Sequence, residues 1–152
     1  MNRNYAKAVT LIELLIVVMI ISVFTFVAVP RLSMSAVFKG KAQTSAAQIA
    51  SAIRLCRTLA INNAATNQTG YSLNMTGSGN YTGFQIINLQ SGQLIKTENI
   101  PSGISCTGAS SFGFNALGVR TGSAGNLSIS ASGKTFIISV ITNTGMVKCV
   151  QQ

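Results

Sequence analysis

The chain has 152 residues, and its 11 Lys and Arg against two acids give a formal net charge of +9. This length suits one folded domain plus one apolar segment, and the positive charge favours anionic partners such as nucleic acid or anionic lipid. Because there is no His and the two acids are Glu13 and Glu98, most hydrolytic and metal-dependent chemistry lacks the residues it needs, so we expect no enzyme, metal or cofactor.

A basic leader, residues 1–8, precedes an apolar run over residues 9–29 whose one charged side chain is Glu13. A helix of that length is roughly 31 Å long, which matches the hydrocarbon thickness of a bilayer and predicts a transmembrane helix. A secretory signal is the alternative, but its apolar core is shorter, at about 7 to 15 residues, and ends at a small-residue cleavage site. A carboxylate in lipid costs about 2.5 to 3.5 kcal/mol at the helix centre, which marks Glu13 as a functional residue.

Residues 30–62 follow with a helical pattern. Apolar side chains recur at intervals of three and four residues, and polar side chains occupy the other positions. The pattern predicts an amphipathic helix that packs through one stripe on the rest of the chain. The stripe consists of Ala46, Ile49, Ile53, Cys56 and Ala60.

Residues 63–152 contain short apolar or alternating runs separated by Gly, Ser, Asn and Pro, which is typical of strands joined by turns. We therefore predict an α+β fold in which a long N-terminal helix packs on an antiparallel β-sheet head. The predicted strands lie near Tyr71–Met75, Phe84–Leu89, Leu94–Ile95, Phe112–Phe114, Leu127–Ser130, Phe136–Ile141 and Met146–Val150.

Three cysteines allow three different single disulfide bonds. A bond between Cys106 and Cys149 is preferred, because both lie in the Gly- and Ser-rich later half, where it would restrain loops in an oxidising compartment. The alternative is three buried thiols in a reducing compartment. Cys56 fits the apolar stripe of the helix.

The segment Ala8-Val9-Thr10-Leu11-Ile12-Glu13-Leu14-Leu15, followed by the apolar run and Pro30, resembles the class III signal of type IV prepilins and type II secretion pseudopilins. The resemblance implies that a prepilin peptidase cleaves between Ala8 and Val9 and that the new amine of Val9 is methylated. It also implies that Glu13 is the fifth mature residue, which meets the N-terminus of a neighbouring subunit in a filament. The family usually has Gly and Phe where this chain has Ala8 and Val9.

The later half resembles the head of the FimT/GspH (FimU-like) group of minor pilins and pseudopilins. The residues that carry this resemblance are Phe114-Asn115-Ala116-Leu117-Gly118, the hairpin-like stretch 126–141, and Thr144-Gly145-Met146-Val147-Lys148. Some FimT-like proteins bind DNA through a G-R-x-R motif, for which this chain has Gly145-Met146-Val147-Lys148. The implied DNA-binding candidates are Lys148, Lys134 and Arg120.

The resemblance implies a minor type IV pilin that takes part in pilus assembly or priming, near the pilus tip. A minor pseudopilin of a type II secretion system, acting in protein export, is the alternative. DNA binding in natural transformation is a second candidate function, and a plain solubilising surface is the alternative interpretation of the same basic residues. The implied partners are other pilins or pseudopilins, the prepilin peptidase, inner-membrane lipid and DNA. The implied location is the bacterial inner membrane with the head in the periplasm, and then the pilus or pseudopilus.

Overall fold

The computed structural model describes residues 9–28, 34–122 and 125–152. It divides into two units, one up to Met34 and one from Ser35 onward. The first contains helix α1, Leu11–Ala28, and the second contains nearly all of helix α2, Met34–Asn62. The strands are β1 Tyr71–Thr76, β2 Gly83–Asn88, β3 Leu94–Asn99, β4 Ser105–Gly108, β5 Ser111–Phe114, β6 Arg120–Thr121, β7 Leu127–Ala131, β8 Lys134–Val140 and β9 Val147–Gln151.

Helix α1 covers most of the run predicted to span a membrane, although residues 29–33 lie outside the described part of the chain. Over the residues that are described, no helix combines the length and the apolar character needed to cross a membrane.

Helix α2 buries the predicted apolar stripe. Ala46, Ile49, Ile53, Cys56 and Ala60 are all buried, whereas Arg54 and other polar positions on the opposite side are exposed. Helix α2 ends at Asn62.

The strands form two antiparallel sheets, where the sequence predicted an antiparallel head without specifying how many sheets it contains. A five-stranded sheet has the order β3-β2-β1-β5-β6, and a four-stranded sheet has the order β4-β7-β8-β9. Both contribute to one core with α2, in which the largest fully buried side chains are Phe84, Phe112 and Phe114. Seven of the strands overlap the predicted runs, whereas β4 and β6 were not predicted.

The β7–β8 hairpin shows how local sequence fixes the register. Ser132 and Gly133 both have positive φ, at 49° and 78°, which is the backbone of the two-residue type I′ turn that matches strand twist. The turn places Ala131 opposite Lys134 and thereby aligns Ile129 with Phe136 and Leu127 with Ile138. The apolar side chains of both strands consequently face α2 together.

Candidate assembly site and basic residues

The first turn of α1 contains the acid that the sequence singled out. Thr10 precedes the helix, and its hydroxyl oxygen accepts a hydrogen bond from the backbone N–H of Glu13 at 3.3 Å. A Thr followed three residues later by Glu is the capping-box pattern, which satisfies the backbone donors of a helix start. Sequence reading missed the role of Thr10, although the T-x-x-E spacing is a signal that could have revealed it.

The remainder of α1 presents apolar side chains on every face. The large apolar residues from Leu11 to Phe26 are half or more exposed within the chain. The hydroxyls of Ser22 and Thr25 donate to the carbonyls of Val18 and Ile21, both at 2.7 Å, so these polar groups are satisfied inside the helix. A helix that is apolar all round requires an apolar environment.

The predicted cleavage site is at the edge of the described chain. Val9 is described and exposed, whereas Ala8 lies outside the described residues. Cleavage before Val9 would place a new amine four residues before Glu13, beside the positive end of the helix dipole. The carboxylate of Glu13 would then lie near two positive charges, the new amine and the helix N-terminus.

Arg120 is not available to DNA, which corrects its prediction as a contact residue. Its side chain is 4% exposed and lies in the core. The guanidinium Nη1 donates to the Val140 carbonyl at 3.1 Å and to the Gly125 carbonyl at 3.4 Å, and the group lies 5.2 Å from the centre of the Phe112 ring. Burial lowers the pKa of Arg120 from its usual range. Arg120 therefore joins β6 to the other sheet and to the Gly125 segment.

The structure does not bring Lys134 and Lys148 together. Lys134 begins β8 at the hairpin, opposite Ala131, whereas Lys148 lies opposite Ser139 near the other end of that strand. Side chains alternate between the faces of a sheet, so Lys134 shares the face of Phe136, and Lys148 projects from the other face. The three predicted DNA-binding residues consequently form no common site.

The cysteines are unbonded, which corrects the predicted Cys106–Cys149 disulfide. Cys106 lies on β4 and Cys149 on β9, and these strands form the two edges of the four-stranded sheet. Three strand spacings of about 4.8 Å separate them, which is about twice the separation that a disulfide can bridge. The sequence does not reveal which strands are neighbours in the sheet, so the separation of Cys106 and Cys149 could not be predicted from it.

The three thiols differ in accessibility, and this gives a testable prediction. Cys56 and Cys106 are buried, and burial raises their pKa to about 12 and about 11, whereas Cys149 is exposed. Only thiolates react with iodoacetamide. At about pH 8 we expect mass spectrometry of the native chain to find label on Cys149 alone, with Cys56 and Cys106 labelled only after unfolding. Native labelling of all three, or of none, would contradict the cysteine positions.

Comparison with known proteins gives one match to the N-terminal sequence and one to the fold. Residues 3–29 match the family model described as the prokaryotic N-terminal methylation motif. The crystal structure of the Pseudomonas aeruginosa (strain PAO1) type IV minor pilin FimU superposes with a TM-score of 0.61. The alignment has 14% sequence identity and covers 74% of this chain and 90% of that chain. This chain has the type IV pilin fold.

The methylation motif and the type IV pilin fold both agree with the resemblance that the sequence indicated. No curated protein matches the chain. That the chain is not an enzyme stays a prediction. Assignment to the FimT/GspH subgroup stays a prediction.

Proposed function

We propose that this chain is a minor subunit of a type IV pilus, which takes part in priming or assembling the filament near its tip. The observation that carries the proposal is helix α1, which is apolar on all described faces and has one carboxylate, Glu13, in its first turn. Such a helix suits the apolar interior of a filament, and the methylation motif implies a membrane stage before assembly. The methylation motif and the pilin fold support this reading.

In this proposal a prepilin peptidase cleaves between Ala8 and Val9, and the Val9 amine is methylated and keeps its positive charge. Glu13 of one subunit then contacts the Val9 amine of a neighbour. Such an ion pair is surrounded by apolar side chains, where removal of one partner costs about 3 to 5 kcal/mol because the other charge is left buried. The Glu13 carboxylate is unfavourable in an apolar segment unless it is paired. It therefore requires the Val9 amine of a partner subunit.

Substitution of Glu13 by Gln tests the charge separately from the helix cap. Gln also serves in a capping box, so α1 should form and reach the membrane as before. We expect the abundance of Glu13→Gln in sheared pili, measured by immunoblot against the membrane fraction, to fall about tenfold or more. The control is Thr10→Val, which removes the cap hydroxyl and keeps the carboxylate. Normal incorporation of Glu13→Gln would contradict the contact.

A type II secretion pseudopilin is the alternative that shares this N-terminal segment. Deletion of the gene distinguishes the two, because loss of a pilus subunit reduces surface pili. Loss of a pseudopilin instead leaves exported proteins inside the cell.

Contact with DNA is a second candidate function, which the charge of the head favours. Residues 34–152 contain eight Lys and Arg against one acid, Glu98. Since Arg120 is buried, Lys148 is the exposed member of the predicted set that any phosphate contact would use first. Lysine offers a point charge there rather than the planar fork of arginine.

A further inference from the structure

A cleft runs along the side of the head between α2 and strand β9. Its volume is about 360 Å³, and small side chains of α2, Ala47, Ala50 and Ser51, line one side. The other side is formed by β8 and β9. The remaining lining residues are Gln43, Arg54, Phe136, Cys149 and Gln151.

One wall of this cleft is the open edge of a sheet. Strand β9 is last in the order β4-β7-β8-β9, and no strand of the described chain pairs with its outer side. The Ile141 N–H donates to Met146 at 2.9 Å, and the Gln152 N–H donates to Thr135 at 2.8 Å, at the two ends of the β8–β9 ladder. Because bonded pairs alternate in an antiparallel ladder, the backbone groups of Cys149 and Gln151 point away from β8.

The geometry of the β9 edge favours binding of an extended peptide. Cys149 lies opposite Ile138 and Gln151 opposite Phe136, so their side chains share the α2 face and line the cleft. A strand added beside β9 would bond to their N–H and C=O groups and place alternate side chains in the cleft. DNA fits this edge less well, because its phosphates accept hydrogen bonds but donate none.

The positive charge at the cleft favours an acidic partner segment. Arg54 is the charged residue among those that line the cleft. In residues 34–152 the one acid is Glu98, which pairs with Lys96 at 2.7 Å on β3. A second copy of the chain would bring the same excess of positive charge, so like-charge repulsion disfavours it.

We propose that the edge of β9, with its cleft, binds an extended acidic segment of a partner protein by strand addition. The segment pairs with the backbone at Cys149 and Gln151 and places a carboxylate near Arg54. Open edges are usually shortened, charged or covered, and this interaction covers one.

To test this proposal, short random peptides are selected from a display library for binding to the full-length chain in detergent micelles. Cys149→Pro should close the edge, because Pro removes the outward N–H but is tolerated on the solvent side of an edge strand. Cys149→Ala is the matched control, which removes the thiol and keeps the edge. A thermal melt checks that both variants are folded.

We expect the selected peptides to carry Asp or Glu and to slow hydrogen exchange of the Cys149 and Gln151 amides. Their affinity should fall at least about tenfold in Cys149→Pro relative to Cys149→Ala, because paired groups on the peptide lose their partner. Arg54→Glu, which leaves the strand intact, should reduce affinity about fivefold. Selection of no peptide, equal binding to the Pro and Ala variants, or protection of these amides by duplex DNA instead would overturn the proposal.

Discussion

Substitution of Gly70 by Ala is expected to lower the free energy of unfolding by about 3 kcal/mol or more. Gly70 immediately precedes β1 and has a φ of 85°, where a side chain is strained. A Cβ added there would overlap the backbone carbonyl oxygen of Phe114. Tyr71 pairs with Phe114 in the ladder of β1 and β5, so relief of the overlap would require these strands to separate.

The surrounding loop cannot easily move to make room. The buried Asn67 side chain accepts from the Gly70 N–H at 2.8 Å and donates to the Gly70 carbonyl at 2.9 Å. It also donates to the Asn88 side chain at 2.8 Å, which fixes the loop to the end of β2.

Gly92 provides the matched control for Gly70. It has a φ of 70°, but no atom lies within 4 Å of an added Cβ. Gly92→Ala should therefore lower the free energy of unfolding only by the cost of the backbone conformation, about 1 to 2 kcal/mol. Urea unfolding of the full chain in micelles, followed by circular dichroism, measures both losses. Equal losses for the two variants would show that the Phe114 contact does not determine the effect.

Arg120→Ala is expected to cost about 2 to 4 kcal/mol of stability. The substitution removes the hydrogen bond to the Val140 carbonyl, which is buried, and the contact between the guanidinium and the Phe112 ring. Urea unfolding again measures the loss in free energy of unfolding. Arg120→Lys keeps the charge but not the planar fork, so it should recover only a small part of that stability.

The same variant separates a structural role from a DNA-binding role. Under conditions where Arg120→Ala is folded, its affinity for duplex DNA should equal that of the unmodified chain, because Arg120 is buried. Lys148→Glu, which changes an exposed charge, should instead weaken binding and lower its salt dependence. A loss of DNA affinity confined to Arg120→Ala would contradict the buried position of its guanidinium.

Elements with a strong local pattern could be predicted from the sequence. The stripe from Ala46 to Ala60 follows helical periodicity, and it is buried on α2. Strands such as β7 and β8 alternate between buried and half-buried side chains, which is the period that a strand requires. Their Ser132-Gly133 turn also follows from local preferences.

Features that depend on distant residues could not be predicted. Strand β4 has one buried side chain, Cys106, and exists because β7 pairs with it. Strand β6 has two residues and depends on β5 in the same way. The chain order of Cys106 and Cys149 does not reveal that they lie on opposite edges of a sheet, and the sequence near Arg120 does not reveal its burial under Val140 and Phe112.

The candidate assembly site was predicted from a pattern that is local in sequence. The spacing of Ala8, Val9 and Glu13 carries it, and residues 3–29 match the methylation motif. The structure adds the Thr10 hydroxyl as a cap for the same helix turn. It therefore gives the N-terminal segment a folded helix start beside the predicted cleavage point.

The mass of the N-terminal peptide, recovered from the pilus fraction of the native host, shows whether the chain is processed as a pilin subunit. We expect loss of residues 1–8 and one added methyl group on Val9. A chain recovered there with Met1 still attached, or one cleaved at any other residue, would contradict it.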